Sequence, residues 1–262
     1  MDLIDLHCHL LPGIDDGPAD LDGAVALAEA YLAAGIGRVA ATPHVNLRHR
    51  NRADGIEERR AELNARLTEL GIDLRIEPGA EISATVAAEI GDGELRRLTL
   101  GGGEWLLVEP PSRASAFDIH QAVFEVQRRG FKVLLAHPER NTALRRDLDL
   151  LGDLVASGMR TQITAEALTG RFGSDAEACS RELFARNLVH TVASDAHHAT
   201  ERPPGLTNEL KRSGHRDLVR WLCHDMPAWI LDGGEEPLRP GAGASGETRN
   251  GGGLLRRLGL RR

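Results

Sequence analysis

The chain has 262 residues, 41% hydrophobic and 27% charged, enough for one large α/β domain or two small ones. A net charge of −7 and an aromatic content of 3% argue against nucleic-acid binding, which needs a basic face and stacking platforms. No uncharged apolar run reaches the ~18 residues of a membrane span, no basic-then-apolar leader precedes the first strand, and three scattered cysteines form no CxxC pair, so a reducing cytoplasm is the expected setting.

Leu3-Ile4-Asp5-Leu6-His7-Cys8-His9 reads as a strand ending in two histidines. Strand side chains alternate, so His7 and His9 share a face and Cys8 points to the core. Alone, such a pair says little in a chain with 11 histidines. A turn-rich loop follows, Ile14-Asp15-Asp16-Gly17-Pro18 within it, and Asp20 is a plausible cap for a helix closed by Gly35. Residues 38–42 form a second strand ending at Pro43-His44, and a basic loop with Arg48, His49, Arg50 and Arg52 leads to a helix over 54–70. A third strand over 72–76 runs into Glu81, and a short helix is expected at 84–90. Gly101-Gly102-Gly103 is read as a turn, because no Lys-Ser/Thr follows it.

Residues 105–108 form a fourth strand ending at Glu109, and a helix over 116–129 follows. The fifth strand, 131–136, ends at His137-Pro138-Glu139-Arg140. A helix over 147–157, a weaker strand over 161–164 and a helix over 174–186 precede the seventh strand, 188–193, which ends at Ser194-Asp195-Ala196-His197. Two helical segments, 206–213 and 215–223, complete the expected domain, residues 1–232. Residues 233–262 read as a disordered Gly-rich tail with a basic Leu/Arg end, either solvated or touching acidic lipid or a partner.

Strand and helix alternate as in a parallel β/α fold, where strand C-termini open on one face. Six of the seven strands end in His, Asp or Glu, which brings His7, His9, Asp16, His44, Glu81, Glu109, His137, Asp195 and His197 toward one mouth. Mixed imidazole and carboxylate ligands suit Mn, Fe or Zn, and nine are too many for one ion, so two to three divalent ions are expected. Clustered divalent ions activate water and clamp a phosphoryl group. Arg140 and Arg202 stand near these ligands, and a guanidinium fork matches phosphate. A cysteine phosphatase needs Arg six positions after its Cys; those positions hold Ile14, Ala185 and Trp229. The remaining histidines are read as structural or surface residues, and Trp105, Trp221 and Trp229 as packing residues.

The set His-x-His, Asp-Asp-Gly, Thr-Pro-His, Glu81, Ala-His-Pro-Glu-Arg and Ser-Asp-Ala-His resembles the PHP (polymerase and histidinol phosphatase) family over about residues 1–231. More narrowly, it resembles the bacterial metal-dependent protein-tyrosine phosphatases of capsule and exopolysaccharide clusters. The resemblance implies a distorted seven-stranded, TIM-barrel-like fold and a trinuclear site, usually assigned manganese. His7, His9, Glu81 and Asp195 would hold one ion, Glu81, Glu109 and His137 a second, and Asp16, His44 and His197 a third. Asp16 is chosen over Asp15 because it directly precedes Gly-Pro. Arg140 and Arg202 would grip the phosphate, and a metal-bound hydroxide would attack phosphorus directly. The implied substrate is phosphotyrosine in the tail of a partner tyrosine kinase. Rival readings are another PHP phosphoesterase (a histidinol-phosphate phosphatase or a phosphodiesterase) and a metal-containing regulatory module without catalysis.

Overall fold

The apolar runs become parallel strands alternating with helices, but two of the strands are followed, past a proline, by a second short strand. The computed structural model describes residues 2–111 and 114–241. The order is β1 (Leu3–Cys8), α1 (Leu21–Ala33), β2 (Ile36–Ala41), β3 (His44–Val45), α2 (Ala53–Leu70), β4 (Arg75–Glu77), β5 (Glu81–Ser83), α3 (Ala84–Glu89), α4 (Asp92–Arg97) and β6 (Trp105–Glu109). Then come α5 (Ala116–Arg128), β7 (Lys132–Ala136), α6 (Thr142–Arg146), α7 (Leu148–Ala156), β8 (Arg160–Thr164), α8 (Ser174–Ala185), β9 (Thr191–Ala193), α9 (Thr207–Arg212) and α10 (Met226–Asp232).

Instead of seven strands in one ring of pairing, nine described segments form two parallel sheets, β1-β2-β4 and β3-β5-β6-β7-β8-β9. The second and third apolar runs stop before Pro43 and Pro78, as read, but a further short strand follows each proline, β3 and β5. Proline has no N–H for the ladder, so pairing stops there. The bends keep their hydrogen bonds: Thr42 N donates to Cys8 O at 2.8 Å, Glu81 N to Pro43 O at 3.1 Å, and Gly101 N to Pro78 O at 2.8 Å. Gly79 permits the close approach, since a Cβ there would lie 3.1 Å from both Thr42 Cγ2 and Leu100 Cδ2. The free edges of the two sheets also meet. Cys8 and Ala196 form a parallel bridge, His9 N donates to Ala196 O at 2.9 Å, and Asp195 N to His7 O at 3.0 Å.

Alternation sorts the strand residues onto two faces. Leu106, Val108, Val133 and Leu135 face the helices with Leu27, Leu63 and Val123. Leu107, Leu134 and Ala136 point inward and pack with Ile4, Leu6, Trp105, Ile230 and Leu231. In β1 this pattern slips: Leu6 belongs to the inner cluster, yet Cys8 belongs to the outer one. The slip coincides with a register irregularity between Asp5 and Cys8, where His7 N turns aside to Asp5 Oδ1. Past this slip the alternation resumes over His7–His9, so the two histidines share the mouth while Cys8 is core.

The chain's end departs from the two expected helices. After α9, a 3₁₀ turn (Arg216–Leu218) and a π-helical turn (Trp221–Asp225) run directly into α10. Pro227 lacks the N–H that would close the preceding turn, which favours the wider π geometry. Through Ile230 and Leu231, α10 plugs the inner cluster near the start of β6. Residues 233–241, expected to be linker-like, lie against the body. Arg160 forks onto Glu236 at 2.7 and 2.6 Å, Trp221 Nε1 donates to Pro237 O at 3.1 Å, and Arg239 Nη1 to Val189 O at 3.0 Å. The rest of the expected tail, residues 242–262, falls outside the described residues. No described helix is long and apolar enough to cross a membrane.

His190 gives the fold a dependence on pH remote from the mouth. It is buried, and its Nδ1 accepts the Thr161 N–H at 3.2 Å, which requires the neutral ring. Burial, then Arg160 and Arg239, push it down to about 3. A histidine depressed in the folded state lends stability that is complete above the unfolded value of about 6.5 and is lost as pH falls toward the folded one. Urea unfolding of the wild type should therefore lose about 1.4 kcal/mol more per pH unit between pH 6 and 4 than His190→Gln does. Equal slopes would remove His190 from this role.

Candidate metal centre

All nine histidines and carboxylates expected at the strand ends meet at one mouth. Glu81, the first residue of β5, stands at its middle. Its Oε2 lies 3.3 Å from His7 Nε2, 3.5 Å from His9 Nε2 and 2.9 Å from His44 Nδ1, and its Oε1 lies 2.8 Å from His137 Nε2. Asp195 Oδ1 faces the same two Nε2 atoms, at 3.4 Å from His7 and 3.3 Å from His9. Asp16 Oδ1 lies 3.3 Å from His197 Nε2 and 3.6 Å from His44 Nε2. Two of these residues reach the mouth through a left-handed backbone: His137 (φ 34°) and Asp195 (φ 53°). For a residue with a Cβ this costs on the order of 1 kcal/mol, strain of the kind found at functional sites.

The donor atoms fall into four overlapping groups: His7, His9 and Asp195; His7, Glu81 and His137; His44, Glu81 and Glu109; and His9, Asp16, His44 and His197. Asp195 joins His7 and His9 in one group, while Glu81, within 3.5 Å of both Nε2 atoms, falls in another group with His7. Glu109 and His137 each meet Glu81, but in separate groups rather than in one set with it. His9 adds itself to the Asp16, His44 and His197 group.

The chemistry fits cations in two ways. First, several rings are held from behind by their Nδ1 atoms. His7 Nδ1 donates to Gln162 Oε1 at 2.9 Å, His9 Nδ1 to Asp15 Oδ2 at 2.7 Å, and His197 Nδ1 to the Asp195 carbonyl at 2.9 Å. Each leaves its Nε2 lone pair turned toward the mouth, the usual support of a metal-ligating histidine. Second, His44 Nδ1 is buried without a hydrogen-bond partner although Glu81 Oε2 is near, and two bare Nε2 atoms, of His7 and His9, stand 3.4 Å apart. Ligands ~2.1 Å from a shared ion stand about this far from each other.

Electrostatics agree. Burial works to raise the Glu81 carboxyl, but His7, His137 and His44 outweigh it and hold it well below its usual range. Burial and the neighbouring Glu81 push Glu109 up to about 7, a surplus of negative charge that a cation would relieve. Burial, then Arg140, push His137 down to about 4, keeping its ring neutral.

Asp15 and Asp16 divide the labour in their loop. Asp15 is spent on His9 and on the N–H groups of Gly17 and His44, at 2.9 and 3.0 Å, whereas Asp16 faces the open mouth. Arg140 and Arg202 both reach Asp195 Oδ2, Arg140 at 2.5 Å, on the side away from His7 and His9. Arg202 Nη1 also donates to His197 Nε2 at 3.2 Å. His198 stands at the rim, its ring 6.4 Å from that of His197, and joins none of the donor groups.

Three contributors, Gln162, Phe172 and Asp5, had no sequence signal, and a fourth, Asp15, stands in the Asp-Asp-Gly motif beside the residue expected to be the ligand. Gln162 orients His7, and Asp15 orients His9. Phe172 lies under both guanidiniums, 4.6 Å from that of Arg140 and 5.7 Å from that of Arg202. Asp5 clamps the floor: it accepts from the N–H groups of His7 and Ser194, from the Ser194 hydroxyl and from Tyr31. The cysteines contribute no nucleophile. All three are buried, and burial pushes Cys179 up to about 11.

Known proteins share this arrangement of chain. Residues 3–231 match the family model described as "Capsular polysaccharide synthesis, CpsB/CapC". The tyrosine-protein phosphatase YwqE of Bacillus subtilis is 36% identical over 201 residues, 76% of this chain and 79% of that protein. The tyrosine-protein phosphatase CpsB of Streptococcus pneumoniae is 30% identical over 211 residues, 77% of this chain and 86% of that protein. A crystal structure from work on YwqE and CpsB, described there as unique metal-dependent tyrosine phosphatases, superposes with a TM-score of 0.76 at 33% identity, covering 88% of this chain and 95% of that one.

Proposed function

The chain belongs to the CpsB/CapC family of capsular polysaccharide synthesis, and from that membership we propose that it is a metal-dependent protein-tyrosine phosphatase. The observation that carries the proposal is the single mouth in which nine nitrogen and oxygen donors stand beside two guanidiniums. Two to three divalent transition-metal ions, manganese before iron or zinc, are the proposed complement. His7, His9, Glu81 and Asp195 would hold the first; Glu81, with Glu109 and His137 from its two separate donor groups, would hold the second; and Asp16, His44 and His197 would hold a third. Asp16 is preferred to Asp15 because Asp15 is already committed to His9. Divalent ions so held supply a nucleophile from water at neutral pH and neutralise phosphoryl oxygens.

The chain's own residues do the rest. Glu81 and Asp195 anchor neighbouring ligands in one geometry, and Gln162 and Asp15 keep His7 and His9 in the tautomer that points Nε2 into the mouth. Arg140 and Arg202 offer N–H pairs to phosphate oxygens, with Phe172 fixing the plane of both. A tyrosinate leaving group, with a pKa of about 10, departs more readily than an alkoxide.

The finer fold reading belongs to the same proposal. β2 with β3 and β4 with β5 count as two kinked strands, which gives seven, and the bridge between Cys8 and Ala196 supports closure of a distorted barrel. Residues 1–232 form the phosphatase unit and 233–262 an appended tail. The partner is a tyrosine kinase with phosphotyrosines in its tail, in the cytoplasm.

Purified protein should carry two to three transition-metal ions per chain. Chelation should abolish hydrolysis of an aryl phosphate, and Mn²⁺ should restore it. A phosphotyrosine peptide should be hydrolysed far faster than histidinol phosphate. Turnover indifferent to chelation, or a preference for histidinol phosphate, would overturn the proposal.

A further inference from the structure

Beside the mouth, and outside the donor set, lies a cleft of about 580 Å³ between the loop after β3 and the segment from α3 to α4. Its position follows from the strands. His44 pairs with Glu81 and, one step on, Val45 with Ile82. The two chains then diverge, and the cleft fills the space between them. It therefore lies at the same end of the sheet as the donor groups, its floor residue Val45 directly following His44.

The cleft wall is built and held. Asn51 Nδ2 donates to the carbonyls of Ile14 and His44, both at 2.9 Å, tying the loop to the segment that carries Asp15 and Asp16. Asn46 Oδ1 accepts from the N–H groups of Arg48 and His49, and Val45 bridges Arg50. The His49 ring stacks on that of His44, 5.8 Å away. The other end is pinned where Ala53 N donates to Glu94 Oε1 at 2.9 Å.

The lining is amphipathic. Val45, Val86 and Ile90 give it an apolar floor, and Leu47 stands on its lip 72% exposed. Its charged groups are Arg50, Arg52, Glu89 and Glu94. Glu94 lies 3.6 Å from Arg52, so that pair is compensated. Arg50 has no carboxylate partner among the described residues; its Nε reaches only the Leu47 carbonyl, at 3.4 Å. Arg48, on the same hairpin, has no carboxylate partner among them either. The wall formed by the loop after β3 is thus positive and uncompensated, while Glu89 stands on the opposite wall.

We propose that this cleft is a peptide subsite, which takes an apolar side chain next to the phosphotyrosine while an adjacent acidic residue meets Arg50. This deepens the phosphatase reading and rests on it. An extended peptide advances ~3.3 Å per residue with side chains on alternate sides, so a residue next to or one beyond the phosphotyrosine reaches the cleft. Small aryl phosphates end before it.

Manganese-loaded full-length protein is assayed on p-nitrophenyl phosphate and on two phosphotyrosine octapeptides, one flanked by Glu-Leu and one by Lys-Ser. The Glu-Leu peptide should have a kcat/KM about tenfold higher, the difference lying in KM. In Arg50→Glu the preference should vanish or invert, and in Leu47→Ser the ratio of peptide to aryl-phosphate kcat/KM should fall. Both side chains are exposed, so neither variant threatens folding. A preference absent from the wild type, or one that Arg50→Glu leaves intact, overturns the subsite. Fluorescence anisotropy of the labelled Glu-Leu peptide reads the subsite without turnover: weaker binding in Arg50→Glu supports it even if catalysis on every substrate failed, an outcome that would overturn the phosphatase reading alone.

Discussion

Glu81→Gln should lose essentially all phosphatase activity, with kcat on an aryl phosphate down by ~10³-fold or more, equivalent to about 4 kcal/mol of transition-state stabilisation. The substitution preserves shape and removes one charge from a carboxylate that is 1% exposed and lies within 3.5 Å of four histidine nitrogens. In the proposed assignment Glu81 belongs to two ions at once. Its neutralisation should therefore lower the metal content by more than one ion per chain, whereas loss of a peripheral donor such as Asp16, nearly half exposed, should cost one. The amide also offers N–H donors where the four rings present nitrogens, which disfavours recruitment of a cation at that point. Metal analysis and steady-state kinetics on the same preparation measure both effects. A variant keeping more than a tenth of wild-type activity with a full metal complement would show that Glu81 is not the shared ligand.

That residue shows how the site can be read from the sequence. Glu81 has no motif of its own; it was found because it follows a strand, and parallel strands deliver their C-terminal ends to one face. The same reasoning reached His44, Glu109 and His137. It did not reach β3 and β5, the short strands beyond Pro43 and Pro78, because two or three residues after a proline carry no strand pattern of their own until their partners are known. It also missed the π turn at Trp221–Asp225, where residues 215–223 looked like an ordinary helix that stopped. Residues that orient others left no trace at all. Gln162 lies 155 positions from His7 and Asp5 189 from Ser194, and neither carries a spacing that could announce the pairing. Phe172 was invisible for a similar reason: a lone aromatic in a loop acquires meaning only from the two arginines that fold against it. Even in the Asp15-Asp16 pair, adjacent in sequence, roles separate only when their directions are known, one carboxylate turned back to His9 and the other forward to the mouth.

The arginines should behave differently from Glu81, and the contrast tests the division between ligands and phosphate-binding groups. Arg140→Ala and Arg202→Ala should each lower kcat/KM by ~10²–10³-fold, the usual cost of removing a charged donor from a developing oxyanion. The metal content should stay at the wild-type level, since guanidinium nitrogens are not ligands. The double variant should lose less than the product of the two single losses, because both side chains share Asp195 Oδ2 and the face of Phe172 and so act as one unit. Arg140→Lys should restore little: an ammonium is a point charge and supplies neither the paired N–H geometry nor the flat face that lies 4.6 Å from the Phe172 ring. Affinity for inorganic phosphate, measured by product inhibition, should fall in parallel with kcat/KM. Each arginine is also a counter-ion for Asp195, which burial alone would raise and which His7, His9 and the two guanidiniums together hold well below its usual range. With one guanidinium gone the other still faces Asp195, so a single variant should fold and keep its ions. If both single variants lost metal as completely as Glu81→Gln, their role would be to hold Asp195 in place, and phosphate recognition would have to come from elsewhere in the mouth.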